Sequence, residues 1–185
     1  MKVVFGLGNP GPSYGPTRHN IGFDVIDLYR KVHHAKTRAK IECSALVYRE
    51  PNCLLVKPLT FMNESGIAVS QVIERYGVAF EDALVVYDDL DLPLGRMKLL
   101  ASGGAGSHNG MRSVLSALGH ENIPRLRIGI ETADRCSSGR DYVLSAFSPG
   151  EWEQALPVVE RAVEAVDLFL KRDIYAAMTQ FNRRD

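Results

Sequence analysis

The chain has 185 residues, of which 45% are hydrophobic, and its 22 basic side chains balance its 22 acidic ones. This length and composition predict one globular domain over residues 1–185, without the strong basic excess typical of nucleic-acid binders. The 3 cysteines show neither an even count nor the CxxC spacing of a zinc site, so we expect reduced thiols. No apolar run reaches the roughly 20 residues of a membrane helix, so we expect a soluble, cytoplasmic protein.

Strand and helix patterns alternate along the chain. Short apolar or β-branched runs predict strands near 2–8, 44–50, 53–58, 82–87, 96–101, 125–131 and 141–147. Apolar residues at helical spacing predict helices near 21–32, 64–77 and 111–119, and a long C-terminal helix from 151 with a break near Asp173. This order predicts a three-layer α/β/α sandwich around a mixed, mostly parallel sheet.

Four turn-rich loops carry polar side chains that turn geometry alone does not require. They span 9–20 after the first strand, 60–65 after "LLVKP", 88–91 after "LVVY", and 106–110 at the start of a helix. Loops at the carboxyl ends of strands converge on one crevice in an open α/β sheet. The sequence therefore predicts a binding site that these loops build together.

Simpler explanations exist for each loop taken singly. Asn63 or Ser65 could cap one helix and Asn109 another, and the acids at 88–91 could form a turn or bind a hard cation. In "GLGNPG" the third glycine follows a proline within a long loop instead of opening a helix, and no acidic residue stands about 20 positions on in a strand, as a dinucleotide site requires. The run "GGAGSHNG" lacks the Lys-Ser/Thr of a P-loop. Nucleotide binding is therefore disfavoured.

A histidine, a carboxylate and several asparagines remain on these loops. Histidine with aspartate is a general-base pair, because the carboxylate fixes the imidazole tautomer and stabilises the imidazolium. Asparagine amides can donate to a developing oxyanion without adding charge. No G-x-S-x-G elbow is present, which favours an activated water over a serine nucleophile.

Four motifs together resemble bacterial-type peptidyl-tRNA hydrolase. They are "GLGNPGPSYGPTRHNIGF", "KPLTFMNESG", "DDLDLPLG" and "GSHNG", with "RLRIGI" downstream, and the resemblance covers essentially the whole chain. It implies a monomer on an α/β fold, without cofactor or metal, that hydrolyses the ester between a peptide and the terminal ribose of its tRNA. The implied partner is therefore peptidyl-tRNA, through its 3′ end and acceptor region, with no membrane.

The resemblance also assigns roles by position. His19 matches the catalytic base, Asp91 the carboxylate that supports it, and Asn9 the residue that distinguishes an N-blocked peptidyl group from a free aminoacyl group. The remaining matches are substrate and tRNA contacts: Tyr14, Phe61, Met62, Asn63, Asn109 and Arg127. A tRNA 3′ end is single-stranded, so stacking on Tyr14 or Phe61 and basic contacts to phosphate are the expected interactions.

The basic residues depart most from the family pattern. Leu100 and Ala101 stand where the family often has a lysine, and Arg135 is a substitute for another tRNA contact. Residues 96–140 hold 7 Lys or Arg against 3 acids, and "RKVHHAKTRAK" at 30–40 has 5 basic residues and 2 histidines without an acid. These segments indicate either a basic, tRNA-facing surface or a solvated one. Two rival functions stay open: a non-catalytic RNA-binding protein on the same fold, and a small-molecule amidase or esterase using the same pair.

Overall fold

A computed structural model describes residues 1–133 and 138–183 of the chain. The strands are β1 (Lys2–Gly6), β2 (Lys40–Glu42), β3 (Ala45–Arg49), β4 (Cys53–Pro58), β5 (Ala83–Pro93), β6 (Met97–Leu100) and β7 (Arg125–Glu131). The helices are α1 (Ile21–Val32), α2 (Ser65–Tyr76), α3 (Asn109–Leu118), α4 (Gly139–Val143), α5 (Pro149–Lys171) and α6 (Ile174–Phe181). Arg135 and Cys136 lie outside the described residues.

The strands form one mixed sheet in the order β2-β3-β4-β1-β5-β7-β6. The central strands β4, β1, β5 and β7 pair in parallel, and the outer pairs β2-β3, β3-β4 and β6-β7 are antiparallel. Parallel strands share one carboxyl edge, so the loops after β1, β4 and β5 meet on the same side of the sheet. The predicted mixed α/β fold is confirmed.

Helices cover both faces of this sheet. One apolar core packs α1, α5 and α6 against the face that carries Val4, and a second packs α2 and α3 against the face that carries Val3 and Phe5. Successive side chains of a strand point to opposite faces, which is why neighbouring residues of β1 enter different cores. The buried strands are apolar on both faces, as the uninterrupted run in β5 predicts.

Helix ends follow local rules that the sequence displays. The helices α2 and α3 end at Gly77 and Gly119, which adopt left-handed backbone at φ 59° and 74°. Helix α5 begins at Pro149, earlier than predicted, because Ser148 and Glu151 form a reciprocal capping box. Asp173 caps α6 and produces the predicted break.

Two element predictions are wrong. Strand β5 continues to Pro93 instead of stopping before Asp88, since its end still pairs with β7 through a register shift between Asp89 and Pro93. The segment 141–147, predicted as a strand, forms part of α4 and the turn after it. There the Arg18 guanidinium lies over the rings of Tyr142 (4.4 Å) and Phe147 (4.9 Å), so tertiary contacts override the strand-like composition.

None of the helices in the described part of the chain is long and apolar enough to cross a membrane. Cys43 and Cys53 are free thiols.

Candidate active site

A cleft of about 640 Å³ opens at the carboxyl edge of the parallel strands. This volume lies within the range of small-ligand sites. All of the side chains predicted for the site line this cleft: His19, Asp91, Asn9, Tyr14, Phe61, Met62, Asn63, Asn109 and Arg127. The structure thus brings the predicted residues together from five separate segments of the chain.

The floor of the cleft is a hydrogen-bonded network of two histidines around one carboxylate. His19 Nδ1 lies 2.7 Å from Asp88 Oδ1, and His108 Nε2 lies 2.9 Å from the same oxygen. The Asp88 side chain is only 1% exposed. The two imidazole rings meet edge to face with their centroids 5.1 Å apart. Both histidines are therefore oriented by a single buried anion.

The second contact of His108 determines the tautomer of that ring. His108 caps α3, and its Nδ1 accepts a hydrogen bond from the backbone N–H of Met111 at 3.0 Å. The proton of neutral His108 is then on Nε2, which donates to Asp88. An ionised Asp88 can only accept hydrogen bonds, so neutral His19 donates to it through Nδ1, and the lone pair of His19 is then on Nε2.

Charge and burial act in opposite directions on Asp88. Burial alone raises a carboxyl pKa, but the imidazoles of His108 and His19 outweigh it and hold the pKa of Asp88 well below its usual range. Asp88 is therefore ionised at neutral pH. Its second oxygen, Oδ2, is buried and has no hydrogen-bond partner among the described residues.

The structure pairs His19 with Asp88 and not with Asp91, the carboxylate that was expected to support it. The register shift of β5 turns the end of the strand outward, and the Asp91 side chain is 66% exposed. Its backbone N–H is held by Asp89 Oδ1 at 2.8 Å, and its carboxylate lies 4.0 Å from Arg127 Nη2. Asp91 belongs to the rim of the cleft, not to its floor.

Asn9 is held rigidly beside the network. Its side-chain Oδ1 accepts the Met62 N–H at 2.8 Å, and its backbone exchanges two hydrogen bonds with the Asn20 side chain at 2.7 and 3.1 Å. Because the oxygen of the Asn9 amide is occupied, the NH₂ group is the part available to a ligand. The Met62 side chain in turn packs against Gly110, where a Cβ would stand 2.4 Å from the Met62 sulfur.

The rim of the cleft is exposed and aromatic on one side. The rings of Tyr14 and Phe61 meet edge to face at 6.3 Å, and Phe61 is 53% exposed. Asn63 and Asn109 are also exposed. Neither is a cap: α2 begins without a side-chain cap, and α3 is capped by His108. Their amides are therefore not used by helix ends.

Two arginines of β7 have different surroundings, although alternation predicts them on one face. Arg125 is fully buried, and its guanidinium donates to the carbonyls of Ile123, Gly104 and Glu121 at 2.9–3.2 Å. Arg127 lines the cleft and forms an ion pair with Asp89. Burial lowers the pKa of Arg127, but its hydrogen bond with Asp89 outweighs this and raises it above its ordinary value.

The sequence-based reasoning missed Asp88 and His108 as parts of the network. The sequence signal for Asp88 is its position directly after a buried apolar strand. If the strand continues, side chains still alternate between its two faces, and one of them can face the crevice. His108 lies within the quoted "GSHNG" motif, where nothing in the sequence distinguishes it from the residues of the glycine-rich loop around it. No sequence pattern indicates that both histidines share one oxygen.

The fold and the floor of the cleft together define a class of protein. A buried carboxylate orients a histidine at the carboxyl edge of an α/β sheet, beside amide donors, which is an arrangement for hydrolysis by an activated water.

Comparisons with known proteins identify the family within this class. The family model for peptidyl-tRNA hydrolase matches residues 3–185. The chain is 42% identical over 189 residues to a peptidyl-tRNA hydrolase of Aquifex aeolicus, covering 100% of this chain and 98% of the relative. For the Synechocystis sp. peptidyl-tRNA hydrolase, identity is 43% over 194 residues, covering 100% and 97%. A crystal structure of peptidyl-tRNA hydrolase from Acinetobacter baumannii matches with a TM-score of 0.91 at 29% identity, covering 100% of this chain and 96% of that chain.

The chain belongs to the peptidyl-tRNA hydrolase family, and it is a hydrolase acting on the ester bond of peptidyl-tRNA. The reading as a non-catalytic RNA-binding protein is not favoured.

Proposed function

We propose that His19 is the general base of this hydrolysis and that Asp88 is its positioning carboxylate. The observation that carries the proposal is the 2.7 Å contact between His19 Nδ1 and the buried Asp88. It fixes the tautomer whose Nε2 accepts a proton, and it places a negative charge where the imidazolium forms.

The reaction then follows from these groups. His19 Nε2 takes a proton from water while the water oxygen bonds to the ester carbonyl carbon. The tetrahedral intermediate expels the 3′ or 2′ oxygen of the terminal ribose, which takes the proton from His19. The products are a peptide carboxylate and a free tRNA hydroxyl.

Amide donors on the rim stabilise the oxyanion in this proposal. Arg112 Nη1 donates to Asn109 Oδ1 at 2.9 Å, which leaves the Asn109 NH₂ group as the donor toward the cleft. Asn63 supplies a second amide that no helix end uses. Each donor of this kind contributes roughly 10²–10³ in rate.

Asn9 supports the preference for an N-blocked peptidyl group. A free aminoacyl group presents an ammonium, which only donates hydrogen bonds, whereas a peptidyl group presents an amide carbonyl that accepts them. Because Met62 occupies Oδ1, Asn9 offers its NH₂ to the cleft and matches the carbonyl. We infer that this orientation selects blocked substrates.

The rim residues Tyr14 and Phe61 suit unpaired bases, since exposed aromatic faces stack on single-stranded nucleotides. Arg127 suits a phosphate, which would compete with Asp89 for the guanidinium. We infer that the enzyme acts as a monomer, because one chain supplies every side chain of the proposed site. A cytoplasmic location fits the substrate, which ribosomes produce.

Matched substrates test this function. N-acetyl-aminoacyl-tRNA should be hydrolysed at least tenfold faster than the unblocked aminoacyl-tRNA, and a small N-acetyl-amino acid ester should react poorly. Equal activity on the small ester would instead indicate a general esterase.

The variant Asn9→Asp tests the orientation of Asn9. It keeps an acceptor for the Met62 N–H but replaces the NH₂ group by a second acceptor oxygen. The preference for blocked substrates should narrow by roughly tenfold, as expected when about 1.4 kcal/mol of discrimination is lost. An unchanged preference would remove Asn9 from this role.

A further inference from the structure

The network on the cleft floor also has the composition of a transition-metal site. One ring nitrogen of His19, one of His108 and one carboxylate oxygen of Asp88 all lie within 4.8 Å of one another. The contacts that join them measure 2.7 and 2.9 Å. A tetrahedral zinc ion with bonds of about 2.0–2.1 Å holds its ligand atoms about 3.4 Å apart, so each contact must open by roughly half an ångström to admit the ion.

A second observation concerns the other oxygen of the same carboxylate. Asp88 Oδ2 belongs to a side chain that is 99% buried, and it has no hydrogen-bond partner within the part of the chain that the structure describes. A buried carboxylate with an oxygen that lacks a partner is costly, and a cation bound to the same carboxylate lowers that cost by neutralising its charge.

We propose that Zn²⁺ binds between His19 Nδ1, His108 Nε2 and Asp88, with a water from the cleft as fourth ligand, and reversibly inhibits the enzyme. Catalysis itself uses no metal in this account. The ion is an inhibitor that replaces the two hydrogen bonds of the resting network.

The proton balance explains the inhibition. Zinc needs the lone pair of His19 Nδ1, so the ring proton moves to Nε2, the atom that must accept a proton from water. In the same way the proton of His108 moves from Nε2 to Nδ1, and the ring no longer accepts the Met111 N–H. The two histidine–Asp88 hydrogen bonds and one N-cap hydrogen bond are lost, and three bonds from protein atoms and one from water form to the metal, with no net release of protons.

The donor set also determines which ions bind. Two imidazoles and one carboxylate suit zinc, copper and cobalt, whereas Mg²⁺ requires octahedral oxygen ligands. Mg²⁺ supplied for the tRNA should therefore leave this site unoccupied.

The chain offers a matched control on its surface. His33 Nε2 lies 3.9 Å from Asp167 Oδ1, and these side chains are 39% and 24% exposed. This is also a histidine–aspartate pair, beside a second histidine at His34, but it is far more accessible to solvent than the cleft floor.

The experiment measures metal binding to the RNA-free enzyme. Co²⁺ absorption reports the coordination number, and competition with a chromophoric chelator gives the Zn²⁺ affinity. The wild type and His33→Asn should bind one Zn²⁺ with the same affinity and show the intense bands of four-coordinate Co²⁺. His108→Asn should bind Zn²⁺ at least about a hundredfold more weakly. Loss of a residue that only hydrogen-bonds to a metal ligand already lowers metal affinity roughly 10–100-fold, and His108 is itself a ligand. Asparagine is a good N-cap, so this variant should retain α3.

Two further measurements use the wild type, so they do not depend on whether His108→Asn folds. In the wild type, Zn²⁺ should shift the ring ¹⁵N resonances of His19 and His108 and not those of His33, His34 and His120. The same Zn²⁺ concentration should stop hydrolysis in the wild type and His33→Asn, and EDTA should restore it. Absence of a tight site, equal weakening in His33→Asn, or shifts confined to the surface histidines would overturn the proposal.

Discussion

The floor and the rim of the cleft are built differently. On the floor, Asp88 is 1% and His19 8% exposed, and both belong to a network fixed by backbone and side-chain hydrogen bonds. On the rim, Phe61 is 53% exposed and the Asp91 side chain 66% exposed. The floor is thus organised before substrate arrives, whereas the rim can adjust to it.

This difference predicts how substitutions divide between the kinetic constants. Removing a floor group should lower kcat, because that group acts on the transition state in a fixed position. Removing a rim group that contacts only the tRNA should raise KM, because that group contributes equally to the binding of substrate and transition state. The rim amides of Asn63 and Asn109 are the exception, since they act on the oxyanion and their loss should lower kcat.

The largest effect should come from His19→Ala. Loss of a positioned general base costs roughly 10²–10⁴ in rate, so the single-turnover rate should fall by at least a hundredfold while KM changes little. Hydrolysis of N-acetyl-aminoacyl-tRNA in single-turnover experiments measures this. His33→Ala, a change in a solvent-exposed histidine, is the control and should be silent; near-normal activity of His19→Ala would contradict the mechanism.

A rim effect of intermediate size is expected for Arg127→Ala. KM for peptidyl-tRNA should rise several-fold with kcat nearly unchanged, since a phosphate contact supplies uniform binding. The slope of log affinity against log salt should flatten by about 0.7–0.9.

A truncated substrate carrying only the terminal nucleotides provides the control for Arg127. It should react equally with the wild type and the variant. An equal loss on this substrate would show that Arg127 supports the floor of the cleft, through Asp89, and the boundary between floor and rim would have to move.

The smallest effect concerns Asp24. This side chain shows how burial changes the pKa of a carboxyl that has no histidines beside it, in contrast to Asp88. Burial, reinforced by Asp27 and only partly opposed by Lys57, raises the pKa of Asp24 to about 7. Lys57 bonds Asp27 at 2.7 Å. A carboxyl with a raised folded-state pKa contributes stability that is fully present below its unfolded value of 3.8 and is lost as pH rises through about 7.

Asp24→Asn should therefore stabilise the protein at pH 8 by about 1–2 kcal/mol, a figure discounted for partial solvent access, and should have little effect at pH 4. Denaturant unfolding at the two pH values measures the difference, and hydrolysis should be unchanged. A variant that is less stable than the wild type at pH 8 would show that the ionised carboxylate of Asp24 stabilises the fold.

The sequence predicted the layers of the fold and the membership of the cleft, because both depend on local signals. Apolar periodicity located the helices, glycines marked the ends of α2 and α3, and loop position placed Asn9 and Asn63 at one edge of the sheet. Each of these features depends on residues that lie close together in the sequence.

The failures depended on contacts between distant segments. Strand β5 continues past Asp88 because β7 pairs with it and Gly129 admits the carbonyl of Pro93, where a Cβ would stand 2.1 Å away. This continuation buries Asp88 and exposes Asp91, so the choice between the two aspartates could not be made from spacing. Helix α4 likewise depends on stacking with Arg18, which lies more than a hundred positions earlier.

The identity of the carboxylate that orients His19 is tested most directly by comparing Asp88→Asn with Asp91→Asn in single-turnover hydrolysis of N-acetyl-aminoacyl-tRNA. Asp88→Asn keeps the shape of the side chain but removes the charge that stabilises the imidazolium, so the rate should fall by roughly a hundredfold. Asp91→Asn should stay within about threefold of the wild type, because that side chain is exposed on the rim. The reverse pattern, with Asp91→Asn inactive and Asp88→Asn near normal, would contradict the account.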